Sequence, residues 1–263
     1  MNKTKIDRAV DLIKEKYDVD YDVVIKNDER KSVLRVTLPG CNLSPIIYLE
    51  VYENMEGTDR DIADAILTVI EESRPKSNFN SNDFMNWETA KDKLIACLRT
   101  PGAPEEVVTC KYLDMERYVR FIIDKSLGSD NTMASIIVKR EMLDVWGISE
   151  DELFSTAMKN IVNEIDEFYG MTVLTNKERM FGANCLLNNK FLDEVSSSFG
   201  GTSFYILPSS IHECIAIPVM QWKLQEWQNM VKVVNDNEVA PHERLSYSVY
   251  KYDSVTRQLK IAK

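Results

Sequence analysis

The stretch YILPSSIHECIAIP, residues 205–218, places a short polar segment between two apolar runs, each long enough for a strand that crosses a core. Pro208 lacks a backbone N–H and biases Leu207 towards an extended conformation, so it marks the end of the first strand. Ser209 and Ser210 follow, where the chain can bend. The stretch therefore predicts two core strands joined by a polar corner, and the rest of the chain is interpreted around that pair.

The corner also carries the residues best suited to chemistry, including His212, one of only two histidines in the chain. Side chains alternate between the two faces of a strand. A continuous strand over 212–217 would therefore place His212 and Cys214 on one face and Glu213 on the other. His212 and Glu213 would then be unable to act on each other as a dyad.

Two interpretations of the corner remain open. In one, Ser209 or Ser210 is a nucleophile with His212 as its base, and Cys214 is the thiol alternative. In the other, the serines are turn residues whose hydroxyls bond nearby backbone, and His212 is hydrogen-bonded at the edge of the core. The absence of a Gly-x-Ser-x-Gly nucleophile elbow favours the structural interpretation. The catalytic candidates are Ser209, Ser210, His212, Glu213 and Cys214.

A metal site requires His, Cys or carboxylate ligands that converge, and the chain offers few. His212-Glu213 is not followed by the second histidine of the zinc-binding pattern His-Glu-x-x-His. A site built from His212, Cys214, Cys185 and His242 would need distant segments to meet. The phosphate-loop pattern Gly-x-x-x-x-Gly-Lys is also absent. We therefore expect no metal and no cofactor.

The composition is that of an ordinary globular protein, with 263 residues, of which 44% are hydrophobic and 28% are charged. The formal net charge of −10 repels phosphate backbones and anionic lipid surfaces, so we expect no nucleic acid and no membrane as partner. No run reaches the roughly 18 to 20 apolar residues of a transmembrane helix. The N-terminal segment is charged throughout, which argues against a secretion signal.

The cysteines are odd in number and widely scattered, with no Cys-x-x-Cys pair. They are Cys41, Cys97, Cys110, Cys185 and Cys214. This usage is typical of reduced thiols buried as small apolar side chains, rather than of a disulfide framework. The sequence therefore predicts unpaired thiols and a cytoplasmic location.

Polar, turn-rich segments at 74–83 and 101–104 divide the chain. They predict an N-terminal subdomain over 1–75 with a helix, three strands and a helix. A linker with a short helix follows over 76–110, and a C-terminal α+β subdomain covers 111–263. Because strands and helices are mixed without strict alternation, we predict an α+β fold with largely antiparallel sheets covered by helices.

Within this plan, the periodicity of the apolar residues predicts several individual elements. A short helix is expected around 84–98, and a strand over 182–187. Ser149 and Glu152 have the Ser-x-x-Glu form of a capping box, which predicts a helix whose apolar positions continue to Ile165.

Several ordered fragments carry a resemblance to a known family. They are YLE at 48–50, WGIS at 146–149, MTVLTN at 171–176, GANC at 182–185, ILPSSIHE at 206–213, ERLS at 243–246 and VYKYD at 249–253. In that order and spacing the chain resembles the bacterial domain-of-unknown-function family 5688, found widely in anaerobic Gram-positive bacteria. The resemblance covers most of the chain. It implies no reaction, because the family carries no assigned activity.

The shortage of catalytic side chains favours a cytosolic, non-enzymatic protein-binding or regulatory module whose partner is another protein. The alternative is a hydrolase using Ser209, Ser210 or Cys214 with His212. A structure that places an exposed hydroxyl or thiol within hydrogen-bond reach of His212, in a cleft, would favour the hydrolase.

Overall fold

The computed structural model describes residues 4–26, 29–38, 46–53, 55–72, 80–124, 134–219 and 223–263. The chain divides into two compact units, residues 1–81 and 82–263. All strand pairs of the described residues are antiparallel. The predicted α+β fold with antiparallel sheets is confirmed. Whether residues 1–75 fold as a separate domain stays a prediction.

The first unit has the predicted order of a helix, three strands and a helix. Its elements are α1 (Lys5–Lys14), β1 (Asp18–Lys26), β2 (Glu29–Thr37), β3 (Ile46–Tyr48), a 3-10 helix (Leu49–Tyr52) and α2 (Asp59–Glu72). Thr4 and Asp7 form a capping box at the start of α1. The helices bury Val10, Ile13, Ile62 and Ile66 in the core of this unit.

The second unit contains two sheets. A four-stranded sheet comprises β4 (Leu94–Arg99), β5 (Thr109–Tyr112), β6 (Met115–Asp124) and β7 (Ala134–Ile137). The other three strands each pair with β6. A six-stranded sheet comprises β8 (Glu164–Phe168), β9 (Met171–Thr175), β10 (Phe204–Pro208), β11 (Cys214–Pro218), β12 (Tyr250–Asp253) and β13 (Gln258–Ile261). Its spatial order is β13-β12-β10-β11-β9-β8.

Helices flank these sheets. They are α3 (Ser81–Met85), α4 (Trp87–Ala90), α5 (Glu141–Trp146), α6 (Glu150–Lys159), α7 (Asn189–Ser198) and α8 (Leu224–Asn237), with 3-10 helices at Lys91–Lys93 and Gly182–Leu187. Val231 of α8 packs on Leu207 of β10 in one cluster of the core. Among the described residues, no helix has the length and apolarity that crossing a bilayer requires.

The helix predicted around 84–98 is wrong in its second half. Asn86 ends the first short helix and caps the next by accepting the N–H of Glu88 at 2.9 Å. The chain then enters β4, whose Leu94, Ala96 and Cys97 are completely buried. A strand buried on both faces lacks the alternation that distinguishes it from a helix. The range predicted as a linker therefore contains a core strand.

Two further elements of the structure differ from those predicted from the sequence. The hydroxyl of Ser149 accepts the N–H of Glu152, as expected for the start of α6. The helix nevertheless ends at Lys159, and Ile165 belongs to β8. Residues 182–187 form a 3-10 helix with every residue buried, not a strand.

The two strands of the organising stretch form as predicted. β10 and β11 pair antiparallel, with Pro208 opposite Cys214 and Leu207 opposite Ile215. The second strand begins at Cys214, so the condition of a continuous strand over 212–217, on which the predicted facing of His212 and Glu213 depends, is not met. His212 and Glu213 belong to the corner, because the N–H groups of Ser209 and Ser210 both donate to the Glu213 carbonyl.

Candidate functional site

The corner between β10 and β11 is held by hydrogen bonds to its backbone. The N–H of His212 donates to the Ser210 hydroxyl at 3.0 Å. The hydroxyl of Thr175 donates to the His212 carbonyl at 3.0 Å, and the N–H of Ile211 donates to the Glu243 carbonyl at 2.8 Å. The corner therefore has a fixed conformation and is tied to the segment after α8.

Gly182 passes directly behind the corner. A Cβ at this position would lie 2.5 Å from both the His212 carbonyl oxygen and Oγ1 of Thr175. Because such distances are far below van der Waals contact, only glycine allows the 3-10 helix to approach this closely. The approach brings the preceding residue, Phe181, against the imidazole.

The two ring nitrogens of His212 have different partners. Nδ1 accepts the backbone N–H of Phe181 at 3.1 Å, and Nε2 lies 3.6 Å from Oε1 of Glu243. Because Nδ1 is an acceptor, the proton of the neutral ring is on Nε2 and faces Glu243. Burial lowers the pKa of His212, against the opposing effect of the Glu243 carboxylate. The imidazole is therefore held as a neutral Nε2–H donor.

His242 approaches the same carboxylate from the solvent side. Its Nε2 lies 3.9 Å from Oε1 of Glu243, and its side chain is 82% exposed, compared with 20% for His212. Glu243 thus lies between the only two histidines of the chain.

These residues form part of the wall of a cavity of about 540 Å³. Its polar wall carries three arginines, Arg99, Arg120 and Arg244, together with His212, His242 and Glu243. Its apolar wall includes Ile137, Met180, Phe181 and Ile211.

The four-stranded sheet supplies two of the arginines. Cys97 lies opposite Tyr118, and Ile95 lies opposite Arg120. Since side chains alternate along each strand, Arg99, Tyr118 and Arg120 project from the same face of the sheet. This face forms one wall of the cavity, and the corner and the segment at 241–244 form the other.

Hydrogen bonds and ring contacts orient the guanidinium groups. Arg120 donates from Nε to the Ser135 hydroxyl at 2.9 Å and from Nη1 to the Tyr118 hydroxyl at 3.2 Å, and it lies 4.4 Å from the centroid of the Phe181 ring. Arg99 and Arg244 each donate from Nε to a backbone carbonyl. The arginines are thereby positioned while part of each donor set remains available.

The charge of the cavity is unusual for an acidic chain. Among the described residues, none of the ion pairs involves Arg99, Arg120 or Arg244. Glu116, on the same sheet face, instead accepts the N–H groups of Gly102 and Ala103. Three guanidinium groups and one carboxylate leave a formal charge of +2 when both histidines are neutral.

The structure does not place the predicted nucleophiles at the imidazole. The hydroxyl of Ser210 bonds the backbone of His212 rather than its ring. Cys214 is completely buried, and a hydrogen bond with Cys185 together with burial raises its pKa. Glu213 takes part in the corner through its backbone carbonyl, which accepts the N–H groups of Ser209 and Ser210.

Of the four side chains considered for a metal, Cys185 and Cys214 are buried while His242 is exposed. Among the described residues, no three His, Cys, Asp or Glu side chains lie close enough together to hold a metal ion.

The three arginines of the cavity were not predicted from the sequence. On β6 the pattern Tyr118-Val119-Arg120-Phe121 could have indicated a strand with a cation on one face, since Val119 and Phe121 are buried on the other. No linear pattern could bring Arg99 and Arg244 to the same place, because they come from distant segments.

A second cavity, of about 580 Å³, lies between the end of α6 and the start of α7. Two of its asparagines are bonded to each other, with Nδ2 of Asn188 donating to Oδ1 of Asn163 at 3.1 Å. Its wall combines Lys159 and Lys190 with Glu194. Its formal charge is therefore +1, compared with +2 for the cavity beside His212.

One family model matches most of the chain. A family model described as a family of unknown function (DUF5688) matches residues 3–167 and 162–254. The chain belongs to DUF5688. The resemblance inferred from the ordered fragments is therefore confirmed. No curated protein and no solved structure matches the chain. Both matched stretches of DUF5688 contribute to the cavity, the first with Arg99 and Arg120 and the second with His212 and Arg244.

Proposed function

We propose that this chain is a non-enzymatic binding module, and that the cavity beside His212 binds a small ligand carrying two negative charges. The observation that carries the proposal is the set of three arginines, Arg99, Arg120 and Arg244, which line one cavity without a carboxylate partner among the described residues. An arginine fork matches carboxylate and phosphate oxygens, and unpaired cations in a cleft are costly unless a ligand or water satisfies them.

The charge and shape of the cavity define the ligand class. A formal charge of +2 is matched by a dianion. The apolar wall of Ile137, Met180 and Phe181 suits an apolar or aromatic body. A volume of about 540 Å³ lies within the range of small-molecule sites. The ligand class is therefore a phosphate monoester or a dicarboxylate attached to an apolar group.

The hydrolase alternative has less support, because His212 is poorly arranged as a base. A base must offer a ring nitrogen with a free lone pair to the nucleophile. Nδ1 already accepts the N–H of Phe181, and proton transfer to it would set two N–H groups against each other. Nε2 carries the proton and faces Glu243. The hydroxyl of Ser210 is occupied by the His212 backbone.

A cytoplasmic location is part of the proposal. The cysteines that the structure describes, Cys97, Cys110, Cys185 and Cys214, are all unpaired thiols. Reduced thiols in this number are typical of the cytoplasm.

The test is a calorimetric titration with phenyl phosphate, followed by a check of the recovered ligand. We expect one ligand per chain with a dissociation constant below about 1 mM, no binding of neutral phenol, and no release of phosphate. The absence of heat, and of chemical-shift changes in a parallel NMR titration, would reject the binding proposal. Release of phosphate at a rate that depends on His212 would instead establish the hydrolase.

A further inference from the structure

The strand β8 forms one edge of the six-stranded sheet. Within the described residues it pairs with β9 on one side, and no strand pairs with its outer side. Natural edge strands are protected by short length, by charged side chains, above all lysine, and by proline or a bulge; of these β8 has only its short length and its acidic side chains. β8 reads EIDEF, and its register runs unbroken from Glu164 opposite Thr175 to Phe168 opposite Met171. The edge is regular and open to another strand.

The ladder shows which backbone groups face outwards. A two-residue turn, Tyr169 and Gly170, closes the hairpin, so Phe168 and Met171 form the hydrogen-bonded pair next to the turn. Because hydrogen-bonded pairs alternate, Ile165 and Glu167 direct their N–H and C=O groups away from β9. The N–H of Glu167 is met by Oδ1 of Asp166 at 2.8 Å, whereas no described residue bonds the outward N–H and C=O of Ile165.

The tip of the hairpin is strained and aromatic. Tyr169 has a φ of 49° and Gly170 a φ of 76°, the conformation in which asparagine and glycine are preferred. A bulky residue with positive φ is unusual, and strain of this kind concentrates at functional sites. Tyr169 is 90% exposed and Phe168 is 51% exposed, with ring centroids 4.5 Å apart. Together the rings form a protruding aromatic pair.

We propose that β8 is a docking edge for a protein partner that adds an extended, lysine- or arginine-bearing segment as a further strand, with Phe168 and Tyr169 as its aromatic anchor. Backbone hydrogen bonds to Ile165 supply the pairing. The charge of the edge selects the partner, because residues 164–171 contain Glu164, Asp166 and Glu167 and no basic residue. Asp166 also pairs with Arg179, which leaves two glutamates for the partner.

The same charges argue against a second copy of the chain as the occupant. Pairing β8 with β8 would set acidic side chains directly opposite one another, which destabilises a sheet. Oppositely charged pairs across the strands stabilise it. The hairpin contributes no residue to the wall of the cavity beside His212, so the two proposals can fail separately.

The experiment uses a fluorescein-labelled ten-residue peptide of alternating lysine and valine, titrated with the full chain while anisotropy is recorded. We expect saturable binding that weakens as salt is raised. Ile165→Pro removes the outward donor without removing a ladder hydrogen bond, and it should weaken binding at least about fivefold. Tyr169→Asn should raise the melting temperature, because asparagine suits this turn, and should also weaken binding.

Val255→Thr is the matched control, since Val255 is an equally exposed apolar residue in a different turn. It should leave binding unchanged. The proposal is overturned if the folded wild type fails to bind the peptide at about 1 mM. It is equally overturned if a glutamate–valine peptide binds as well, if neither Ile165→Pro nor Tyr169→Asn weakens binding, or if the chain dimerises through this edge.

Discussion

The backbone N–H of Phe181 donates a hydrogen bond to Nδ1 of His212 at 3.1 Å. This bond joins the 3-10 helix at 182–187 to the corner between β10 and β11, and it determines which ring nitrogen carries the proton. The imidazole is consequently a hydrogen-bond acceptor at Nδ1, while its Nε2–H faces Oε1 of Glu243 across 3.6 Å.

Replacing His212 by alanine should lower the free energy of unfolding by about 1 to 3 kcal/mol, because the N–H of Phe181 loses its partner in a largely buried position. Ser210→Ala should have a similar effect through the N–H of His212. Ser209→Ala is the control, since the Ser209 hydroxyl makes no hydrogen bond to any residue that the structure describes, and it should change stability by less than about 0.5 kcal/mol. Denaturant unfolding measures all three. Equal stability of the His212 and Ser210 variants with the wild type would contradict the structural role.

Stability should depend on pH through His212. Its pKa is lowered mainly by burial, so the unfolded chain binds the proton more readily than the folded one. The neutral imidazole therefore contributes to the free energy of unfolding in full above the ordinary pKa of about 6.5, and this contribution is lost as the pH falls through the folded pKa. Between about pH 7.5 and pH 5.5 the wild type should lose more stability than His212→Gln. Parallel pH profiles for the wild type and His212→Gln would refute the assignment.

The thiol of Cys214 should be unreactive in the native protein. A hydrogen bond with Cys185 together with burial raises the pKa of Cys214, and burial raises the pKa of Cys97 to about 12. Neither thiol should be labelled by iodoacetamide until the chain is unfolded, when all five cysteines of the sequence should react. Peptide mapping by mass spectrometry identifies the labelled sites. Rapid labelling of Cys214 in the folded protein would restore the nucleophile hypothesis. Cys41 lies outside the described residues.

Asp114 links the two sheets of the second unit. Its carboxylate accepts the hydroxyls of Tyr250 at 2.7 Å and Ser246 at 2.8 Å. Burial opposes the charge of Asp114, yet these hydrogen bonds hold its pKa below the usual value. Tyr250→Phe should therefore cost about 1 to 2 kcal/mol at neutral pH.

The same substitution provides a pH test. Because the pKa of Asp114 is lowered in the folded state, its contribution is present above the ordinary pKa and disappears as the pH falls through the folded value. The difference between the wild type and Tyr250→Phe should therefore shrink below about pH 4. Tyr247→Phe, which loses an exposed hydrogen bond to Asp236, should be indistinguishable from the wild type. A Tyr250→Phe variant as stable as the wild type at neutral pH would contradict the proposed link.

Local patterns predicted the strands beside Pro208 and the helix that begins after Ser149, because a proline stop and an N-cap act within a few residues. They failed at Leu94–Arg99, where burial on both faces removes the strand alternation. They also failed at Gly182, where the backbone follows the close approach of His212 rather than its own propensity. The arginines of the cavity could not be grouped from the sequence, because β4, β6 and the segment at 241–244 meet only in the folded chain.

We propose that three arginines without a carboxylate partner among the described residues make the cavity a site for a dianion, and the affinity of phenyl phosphate for charge-altered variants tests this most directly. Arg99→Gln and Arg244→Gln should each weaken binding by about tenfold, the loss of one charge-assisted interaction, while the variants remain folded by circular dichroism. Lys232→Gln removes an exposed cation outside the cavity and should retain the wild-type affinity. If Arg99→Gln and Arg244→Gln both bound phenyl phosphate with the affinity of the wild type, the cavity would not be the binding site.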